Sequence, residues 1–531
     1  MTPICIPIFI NATHDWLTEI RAAEAALAGT SGMIELRADT ATPDQLLAAL
    51  AAAKLPVIVT IRPTWEGGLN EKSFEDRAAM FAQAASAGAA YIDLELESWK
   101  QSAAIREMAQ RVCQQVERNS GPQLIISSHD FSGRPDVEGR IAELATIQIA
   151  SVLKIAWRAS SVIDAIDALR LVDETRRKHG RPLLALAMGE FGQLSRLLGA
   201  KFKQPFTFAS TTRGSESAPG QPTVRDIRDL YQFQSQKPGS PTFGVIGWPV
   251  GHSLSPHIHN AGFRKIGFDG IYVPLPIEPA YDQFAAVIDA LRHCPGMNLH
   301  GLSVTIPHKE NAFRYVTQCG GNIDDLSRRI GAINTLVWNE DDSLRGFNSD
   351  YAGSLDALIS AWGSAAKRED LAGKRIAVIG AGGAARAIVA GLAAYGATVV
   401  IYNRTEERAA ALAADFNGHT GKVVAAPWGK LCSACCDAYI NCTPLGMHPH
   451  IDASPIVGDP AWTPDTVVFD TVYNPLSTKF LQLAETKGAK TIPGTEMFIR
   501  QAAVQFEAFT GQPAPIDVFR KVLLEKLSVA D

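Results

Sequence analysis

Short apolar strands alternate with helical stretches along the first 212 residues. Ala- and Leu-rich segments with helical spacing separate eight runs rich in aliphatic and β-branched residues, at 5–10, 33–39, 56–63, 89–96, 123–130, 151–157, 182–189 and 206–211. Near-continuous apolar strands are typical of a parallel sheet covered on both faces. Eight such units over about 230 residues predict a (β/α)8 barrel. An open, doubly wound sheet is the alternative, and eight equal units favour closure.

Polar residues interrupt this pattern where the strands of such a barrel end. Parallel strands bring their carboxyl ends to one mouth, which is the usual active-site face. The residues concerned are Glu35, Arg37, Asp39, Arg62, His129, Asp130, Ser217 and Gln221. We therefore predict a catalytic site at this mouth.

Lys154 is the most informative single position, because it lies inside the sixth apolar run, between Leu153 and Ile155. A lysine is rarely buried unless it is paired or functional. Burial favours the neutral amine, which can attack a carbonyl carbon. A lysine that reaches the barrel mouth, or that pairs with a carboxylate, is the structural alternative. His129 on the preceding strand favours the catalytic interpretation, because imine chemistry needs a proton carrier nearby.

The first half resembles the type I 3-dehydroquinate dehydratases. The matching strings are ELRAD, TIRPTWEGG, SSHDF, VLKIA, the Ser195-Arg196 pair and SAPGQ. The resemblance implies that Lys154 forms a Schiff base with the ketone of 3-dehydroquinate, that His129 moves the proton and that Glu66 orients His129. It further implies that Arg196 holds the substrate carboxylate and that the remaining substrate contacts come from Glu35, Arg37, Asp39, Arg62, Ser217 and Gln221.

A second α/β pattern begins after a polar segment. Residues 223–233 are predicted to form the last helix of the barrel, and residues 234–242, with their Pro and Gly, to form a linker. Strand-like runs follow at 270–277, 301–309, 333–339 and 343–350. They predict a further domain of about 110 residues.

A strand, a glycine-rich turn, a helix and a second strand follow from residue 374. Gly380, Gly382 and Ala385 have the G-x-G-x-x-A spacing. The first glycine permits the tight turn, the second lets the backbone approach a pyrophosphate, and the small third residue lets helix and strand pack closely. This context predicts a Rossmann dinucleotide-binding domain.

The end of the second strand of this unit indicates which dinucleotide binds. An NAD site usually has an acidic residue there, which accepts a hydrogen bond from the ribose hydroxyl. This chain has Asn403, Arg404 and Thr405, with Arg408 one turn later. Two guanidinium groups favour a 2′-phosphate, so NADP is the predicted cofactor. The acidic residues at 406–407 begin the next helix, where we expect them to face solvent.

From residue 243 onward the chain resembles shikimate dehydrogenase, in GWPVGHSLSPHIHN, SVTIPHK, GAINT, FNSDYAG, NCTPLGM, DTVYNP and GTEMFIRQAA. Helix capping by the serines and surface positions for the charges are the structural alternatives. The resemblance implies a catalytic pair, Lys309 and Asp350. It implies carboxylate binding by Ser253, Ser255 and Tyr473, and hydroxyl binding by Thr305, Asn334, Asp350 and Gln501. Implied cofactor contacts are Gly380, Ala381, Gly382, Gly383, Ala384, Asn403, Arg404, Thr405, Arg408, Thr443, Met447 and Gly494.

Composition excludes several classes of protein. The 531 residues are 46% apolar and 20% charged, which is typical of a globular chain. A net charge of −5 without a basic block argues against a nucleic-acid partner, and no apolar run is long enough to span a membrane. Eight cysteines are too few for a disulfide framework, which favours a reducing cytoplasm. Cys432, Cys435, Cys436, His419, His448 and His450 lack the spacing of a metal site, so none is predicted.

The two resemblances together predict a bifunctional enzyme of aromatic amino acid biosynthesis. It would dehydrate 3-dehydroquinate to 3-dehydroshikimate and reduce that product to shikimate with NADPH, as a monomer or homodimer. The alternatives are a dehydratase fused to an NAD-preferring quinate dehydrogenase, and a non-catalytic quinate-sensing regulator. The predicted parts are the barrel at 1–233, the linker at 234–242, a shikimate-binding domain at 243–350 plus 495–531, and the NADP-binding domain at 351–494.

Overall fold

A computed structural model describes residues 1–11, 15–116, 121–363, 365–417 and 420–528, so His419 lies outside the described residues. The chain folds into two compact units. The first comprises Met1–Thr242 and Val273–Leu299, and the second comprises Phe243–Tyr272 and His300–Asp531.

Eight parallel strands form the sheet of the first unit, in the order β7-β6-β5-β4-β3-β2-β1-β8. Strand β8 is only two residues long and pairs with β1. The barrel is nearly closed, because the described residues form no β7–β8 ladder. The strands are β1 Ile4–Phe9, β2 Gly32–Arg37, β3 Val57–Thr60, β4 Tyr91–Glu95, β5 Gln123–Asp130, β6 Val152–Arg158, β7 Leu183–Met188 and β8 Thr207–Phe208.

Helices connect these strands in the α/β alternation that the sequence predicts. They are α1 Trp16–Ala26, α2 Pro43–Ala52, α3 Phe74–Ser86, α4 Leu96–Gln101, α5 Ala103–Val116, α6 Val137–Ala145, α7 Val162–His179 and α8 Gln193–Leu197. The predicted last helix is shorter than expected and contains a π-helical segment at Asp226–Leu230.

The segment 234–242 is held by hydrogen bonds. Gln234 Nε2 donates to the carbonyl oxygens of Thr2 and Ser31, at 3.0 and 2.7 Å. Lys201, which is itself buried, donates from Nζ to the carbonyl oxygens of Pro238 and Ser240. Composition indicated that the segment is polar, but it could not indicate that backbone carbonyls satisfy these side chains.

Two further six-stranded sheets follow. The first has the order β10-β9-β11-β13-β14-β12, and the second has β17-β16-β15-β18-β19-β20 with all strands parallel. The latter is the 3-2-1-4-5-6 order of a Rossmann domain. The strands are β9 Thr242–Gly247, β10 Ile271–Pro276, β11 Leu299–Val304, β12 Asn322–Ile323, β13 Thr335–Trp338, β14 Leu344–Phe347, β15 Arg375–Ile379, β16 Thr398–Tyr402, β17 Lys422–Ala426, β18 Ala438–Asn441, β19 Val467–Asp470 and β20 Lys490–Ile492.

Ten helices accompany these strands among the described residues: α9 Ser255–Ile266, α10 Tyr281–His293, α11 Lys309–Gln318, α12 Asp325–Ile330, α13 Ser349–Ser360, α14 Gly383–Ala394, α15 Glu406–Phe416, α16 Lys479–Thr486, α17 Gly494–Thr510 and α18 Ile516–Leu527. Helices α17 and α18 contribute Phe506, Phe519 and Leu523 to an apolar core that also contains Phe243 of β9 and Ile258 of α9. In the part of the chain that the structure describes, no helix is long and apolar enough to cross a membrane.

Helices α13 and α17 pack in close contact at Gly353, and this contact determines where the α17 residue Gln501 lies. A Cβ added to Gly353 would be 2.6 Å from the Gln501 nitrogen and 2.9 Å from its Cα. Backbone atoms cannot move away as a flexible side chain can, so only glycine permits this helix separation.

Replacing Gly353 with alanine is therefore expected to push α17 away from α13. We predict a net loss of about 1–2 kcal/mol in unfolding free energy, because the steric cost exceeds the roughly 1 kcal/mol gained in helix propensity. Urea unfolding monitored by circular dichroism measures this loss. Gly391→Ala on α14 is the matched control, because its new methyl group would meet the movable Leu355 side chain at 3.1 Å. Equal unfolding midpoints for the two variants would contradict the prediction.

Candidate active sites

Lys154 is buried inside the barrel and is paired with a carboxylate. Its Nζ donates to Asp93 Oδ2 at 2.7 Å and lies 3.9 Å from Glu35 Oε1. The Phe208 ring covers it, with Nζ 4.8 Å from the ring centroid. Only about 4% of Lys154 is exposed, and it lines a cavity shared with His129, Arg62 and other predicted residues. The structure thus brings the predicted nucleophile and proton carrier to one pocket.

Arg62 is the counter-ion of two buried carboxylates, Asp93 and Glu95. It contacts Asp93 at 2.9 Å and Glu95 at 3.0 Å, and it also donates to Ser127 Oγ at 2.8 Å. Burial disfavours the charged forms of both Asp93 and Arg62, but the opposite charges outweigh it. The pKa of Asp93 is consequently far below its usual range because of Arg62 and Lys154. The Asp93, Glu95 and Glu66 carboxylates raise the pKa of Arg62.

His129 and Glu66 form the expected pair, with Nδ1 and Oε2 2.9 Å apart. Glu66 lies on a 3-10 turn after β3, and His129 lies near the carboxyl end of β5. Burial, followed by the cations Arg62 and Lys154, lowers the pKa of His129 well below its usual value. Burial raises the pKa of Glu66 to about 8, against the effect of Arg62. His129 is therefore a neutral imidazole near pH 7 and can accept a proton.

Arg196, which is predicted to bind the substrate carboxylate, lines the same cavity. Arg196 is 2% exposed, its Nε has no hydrogen-bond partner among the described residues, and burial lowers its pKa to about 10. Ser217 lies at the cavity edge, where its backbone nitrogen donates to Gln221 Oε1 at 2.8 Å. A buried guanidinium with an unused N–H group is suited to an anionic ligand.

The remaining predicted residues order this mouth. Arg37 and Asp39 pair at 2.7 Å. Asp39 also accepts from the backbone nitrogens of Arg62 and Leu69, at 2.9 and 3.1 Å, so it holds the turn after β3. Thr60 donates to Glu35 at 2.7 Å.

A second lysine–aspartate pair lies in the second half of the chain. Lys309 Nζ donates to Asp350 Oδ2 at 2.6 Å, and Asn334 Nδ2 donates to Asp350 Oδ1 at 2.9 Å. Ser349 Oγ accepts from Asn334 Nδ2 at 3.0 Å and donates to Gln501 Oε1 at 3.4 Å. Ser349 therefore links this group to Gln501. Four predicted residues therefore meet in one hydrogen-bonded cluster.

The predicted carboxylate ligands and Thr305 lie on separate elements. Ser253 and Ser255 are at the start of α9, where Ser253 Oγ accepts from the Ser255 nitrogen at 3.3 Å. Thr305 follows β11 and donates from its backbone nitrogen to Ile246 at 2.8 Å. Tyr473 follows β19, 39% exposed, with its ring centroid 5.4 Å from that of Phe498. Within the described ranges, no hydrogen bond joins these side chains to Lys309.

The glycine-rich turn has the geometry that a dinucleotide needs. Gly380 follows β15 and has φ +113°, and an added Cβ would lie 3.1 Å from the Cys442 carbonyl oxygen. Gly382 and Gly383 begin α14, and Cβ atoms added there would meet no protein atom within 4 Å. Ala381 and Ala384 are in the same turn. The helix N-terminus is thus open to a pyrophosphate, so these residues fit NADP.

The residues predicted to contact the 2′-phosphate of the cofactor follow β16. Arg404, Thr405 and Arg408 are exposed, and Asn403 Nδ2 donates to the Thr405 carbonyl at 2.7 Å. The acidic residues 406–407 are exposed, as expected. Two cations without a buried acid at this place suit a phosphate better than a free hydroxyl.

The other predicted cofactor contacts follow later strands. Thr443 after β18 is held by Asn441, whose Oδ1 accepts from the Thr443 nitrogen at 3.0 Å. Met447 is exposed. Gly494 lies against the backbone that follows β19, since an added Cβ would be 2.5 Å from the Val472 carbonyl carbon.

Several residues of these sites were not found from the sequence. Asp93 and Glu95 occupy alternate positions of β4, so both side chains lie on one face of the strand. This spacing in the sequence could have indicated that they belong to the site. Ser349 precedes the predicted Asp350 directly. Asp470 Oδ1 accepts from Asn441 Nδ2 at 2.9 Å. Burial raises the pKa of Asp470 to about 6. No cluster of three or more residues of the types His, Cys, Asp and Glu within the described ranges could hold a metal ion.

Family models match successive parts of the chain. The type I 3-dehydroquinase model matches residues 4–238, and the shikimate dehydrogenase substrate-binding domain matches 245–336. The shikimate/quinate 5-dehydrogenase model matches 364–444, and the shikimate 5′-dehydrogenase C-terminal domain matches 494–524.

Individual proteins show the same two relationships. The bifunctional 3-dehydroquinate dehydratase/shikimate dehydrogenase of Arabidopsis thaliana chloroplasts is 35% identical over 98% of this chain and 84% of its own length. The NADP+ shikimate dehydrogenase of Methanosarcina mazei is 40% identical over 54% of this chain and 98% of its own. A crystal structure of a shikimate dehydrogenase with NADP+ is 35% identical, with a TM-score of 0.48, over 55% of this chain and 97% of that one.

Models of both enzymes therefore match successive parts of one polypeptide, and the similarity to the Arabidopsis protein extends over nearly all of it. The chain belongs to the family of bifunctional 3-dehydroquinate dehydratase/shikimate dehydrogenases.

Proposed function

We propose that the two activities of this family are carried by two separate lysine–aspartate centres. Lys154 with Asp93 would dehydrate 3-dehydroquinate, and Lys309 with Asp350 would serve the NADPH-dependent reduction of 3-dehydroshikimate to shikimate. The observation that carries the proposal is the pairing itself, at 2.7 Å in the barrel and 2.6 Å in the second half. The product of the first reaction is the substrate of the second.

Dehydration begins when the unprotonated Lys154 amine attacks the ketone carbon and forms a Schiff base, with loss of water. The protonated imine withdraws electrons and makes the neighbouring C–H bond acidic. His129 takes that proton and returns it to the departing hydroxyl, which leaves as water. Its neutral state, which burial and the adjacent cations favour, is the state that this step requires. Hydrolysis of the imine then frees 3-dehydroshikimate and restores the amine.

The other polar groups of the barrel would bind and orient the substrate. Arg196 would hold the carboxylate as a planar fork, beside Ser217 and Gln221. Glu35, Arg37, Asp39 and Arg62 would bind hydroxyls or order the site, and Glu66 would keep the His129 ring in position through the 2.9 Å contact.

In the second centre Lys309 would donate a proton to the carbonyl oxygen, with Asp350 holding the ammonium in place. NADPH, when bound, supplies the hydride. Asn334 donates to the other oxygen of Asp350, and the Ser349 backbone nitrogen holds Asn334 Oδ1 at 2.7 Å, so Lys309 would be free to face the substrate oxygen. Ser253, Ser255 and Tyr473 would bind the carboxylate, and Thr305 and Gln501 the hydroxyls.

We also propose the division of the chain into barrel, linker, shikimate-binding and NADP-binding parts, and the cytoplasm as its compartment. The family-model limits at 238 and 245 support the boundary between the halves. All eight cysteines are free, as a reducing compartment requires, although the Arabidopsis relative is chloroplastic. Fractionation of the source cells tests the compartment, and recovery of the protein with an organelle would contradict it.

The Lys154 assignment is tested by replacement and by trapping. Lys154→Ala is expected to lower the dehydration rate by about four or more orders of magnitude, because the covalent intermediate can no longer form. Shikimate oxidation by the same preparation is the internal control and should remain near the wild-type rate. Borohydride added with 3-dehydroquinate should reduce the imine and attach a stable mass to Lys154 of the wild type. An adduct on Lys201, the other buried lysine of this half, would contradict the assignment.

The cofactor assignment is tested at Arg404 and Arg408. Replacing both with glutamine should raise the KM for NADPH by about tenfold or more for each lost contact, since a hydrogen bond to a charged group contributes about 1.5–3 kcal/mol. The KM for NADH should change little. Glu406→Gln with Glu407→Gln is the matched control, because it removes exposed charges next to the site without touching the arginines. Equal losses with both cofactors would show that the arginines do not read the 2′-phosphate.

A further inference from the structure

Arg77 is a fully buried arginine that the reaction described above does not use. It lies in the first turn of α3, with 0% exposure, and its guanidinium faces the end of β4. There it pairs with Glu95, and its Nη1 donates to Ser98 Oγ at 2.9 Å. Ser98 in turn donates to Glu95 at 2.7 Å. A buried charge is costly unless it is paired, so this placement calls for an explanation.

Glu95 connects Arg77 to the catalytic lysine. One oxygen of Glu95 accepts from Arg77 and Ser98, while the other accepts from Arg62 at 3.0 Å. The second terminal nitrogen of Arg62 contacts Asp93 at 2.9 Å, and Asp93 binds Lys154 at 2.7 Å. An unbroken series of buried ion pairs therefore runs from α3 to the Lys154 amine.

The charges in this series balance only when Arg77 is counted. Three carboxylates, Glu35, Asp93 and Glu95, are matched by three cations, Lys154, Arg62 and Arg77. Glu66 lies 3.6 Å from Arg62 but adds no full charge near pH 7, because burial raises its pKa to about 8. Arg37 and Asp39 neutralise each other at 2.7 Å. The titratable and charged groups that surround Lys154 from the neighbouring elements are Cys5, Glu35, Arg37, Arg62, Glu66, Asp93, His129 and Arg196.

We propose that Arg77 is a positioning residue for dehydration, which, through Glu95 and Arg62, allows Lys154 to release its proton. Arg77 satisfies one side of Glu95, so Arg62 remains shared with Asp93. Asp93 is then compensated by Arg62 and holds the lysine ammonium less firmly. Without Arg77, Glu95 draws Arg62 away, and Asp93 retains the proton on Lys154. The inference rests on the proposed role of Lys154 as the nucleophile.

The test is the pH dependence of kcat/KM for dehydration in the full-length enzyme. Arg77→Met should move the acid limb of the profile upward by about one pH unit, the size of shift that a unit charge about 10 Å away produces at an effective dielectric constant of about 20. Arg77→Lys, which keeps the charge, should restore most of the wild-type profile. Arg77→Met combined with Glu95→Gln removes one charge of each sign and should also return the limb close to its wild-type position.

Glu95→Gln alone tests the same point with the opposite sign. It leaves the Arg77 charge uncompensated, and a guanidinium cannot escape by losing its proton. The acid limb should therefore move to lower pH, so this variant decides the matter if Arg77→Met does not fold. Shikimate oxidation by the same chains reports whether the protein was recovered intact. Arg170→Met is the matched control, since it removes an arginine paired with Glu174 on α7, outside the series.

Two outcomes would overturn the inference. Arg77→Met and Glu95→Gln with unshifted profiles and lowered melting temperatures would make Arg77 an anchor of α3 and nothing more. Shifts of the same sign in both variants would show that charge is not the cause. Failure of borohydride to label Lys154 in the wild type would instead contradict the proposed nucleophile, so the two failures can be distinguished.

Discussion

Buried charges in the barrel depend on mutual compensation within hydrogen-bond distance. Asp93 is completely buried, yet it remains ionised because Arg62 and Lys154 both contact it. An isolated charge in such a place would cost several kcal/mol, whereas a paired one with its remaining lone pairs satisfied is tolerated. Ser127, which donates to Asp93 at 2.5 Å, completes that satisfaction.

The same electrostatic environment sets the proton states that the chemistry needs. Burial, together with the cations Arg62 and Lys154, lowers the pKa of His129 and favours its neutral imidazole. In the proposed mechanism the neutral His129 accepts a proton from the substrate, and Lys154 attacks as an unprotonated amine. Arg62 therefore compensates Asp93 and Glu95 in the folded barrel, and in the proposed mechanism the same contacts support the dehydration step.

The second centre solves a different problem with the same pair of residue types. Lys309 is 30% exposed at its side chain, and Asp350 is 11% exposed, so solvent shares in stabilising the ion pair. In the proposed mechanism Lys309 acts as a cation, which solvent stabilises, whereas Lys154 acts as a neutral amine, which burial favours. Close helix packing at Gly353 positions Gln501 beside this centre, because it places Gln501 within reach of Ser349.

The sequence alone determined the alternation of strands and helices and the Rossmann turn. It also indicated most of the polar residues that lie in the two candidate sites. These features depend on residues close together in the chain, such as the Gly380 turn before α14 or the apolar run around Lys154. It did not reveal Asp93 and Glu95 as partners of Arg62, the contribution of Ser349, or the hydrogen bonds that hold residues 234–242. Each of these depends on groups from distant parts of the chain. Only the tertiary structure decides which charges share a low-dielectric interior, because burial and distance, rather than residue type, determine whether an ion pair forms there.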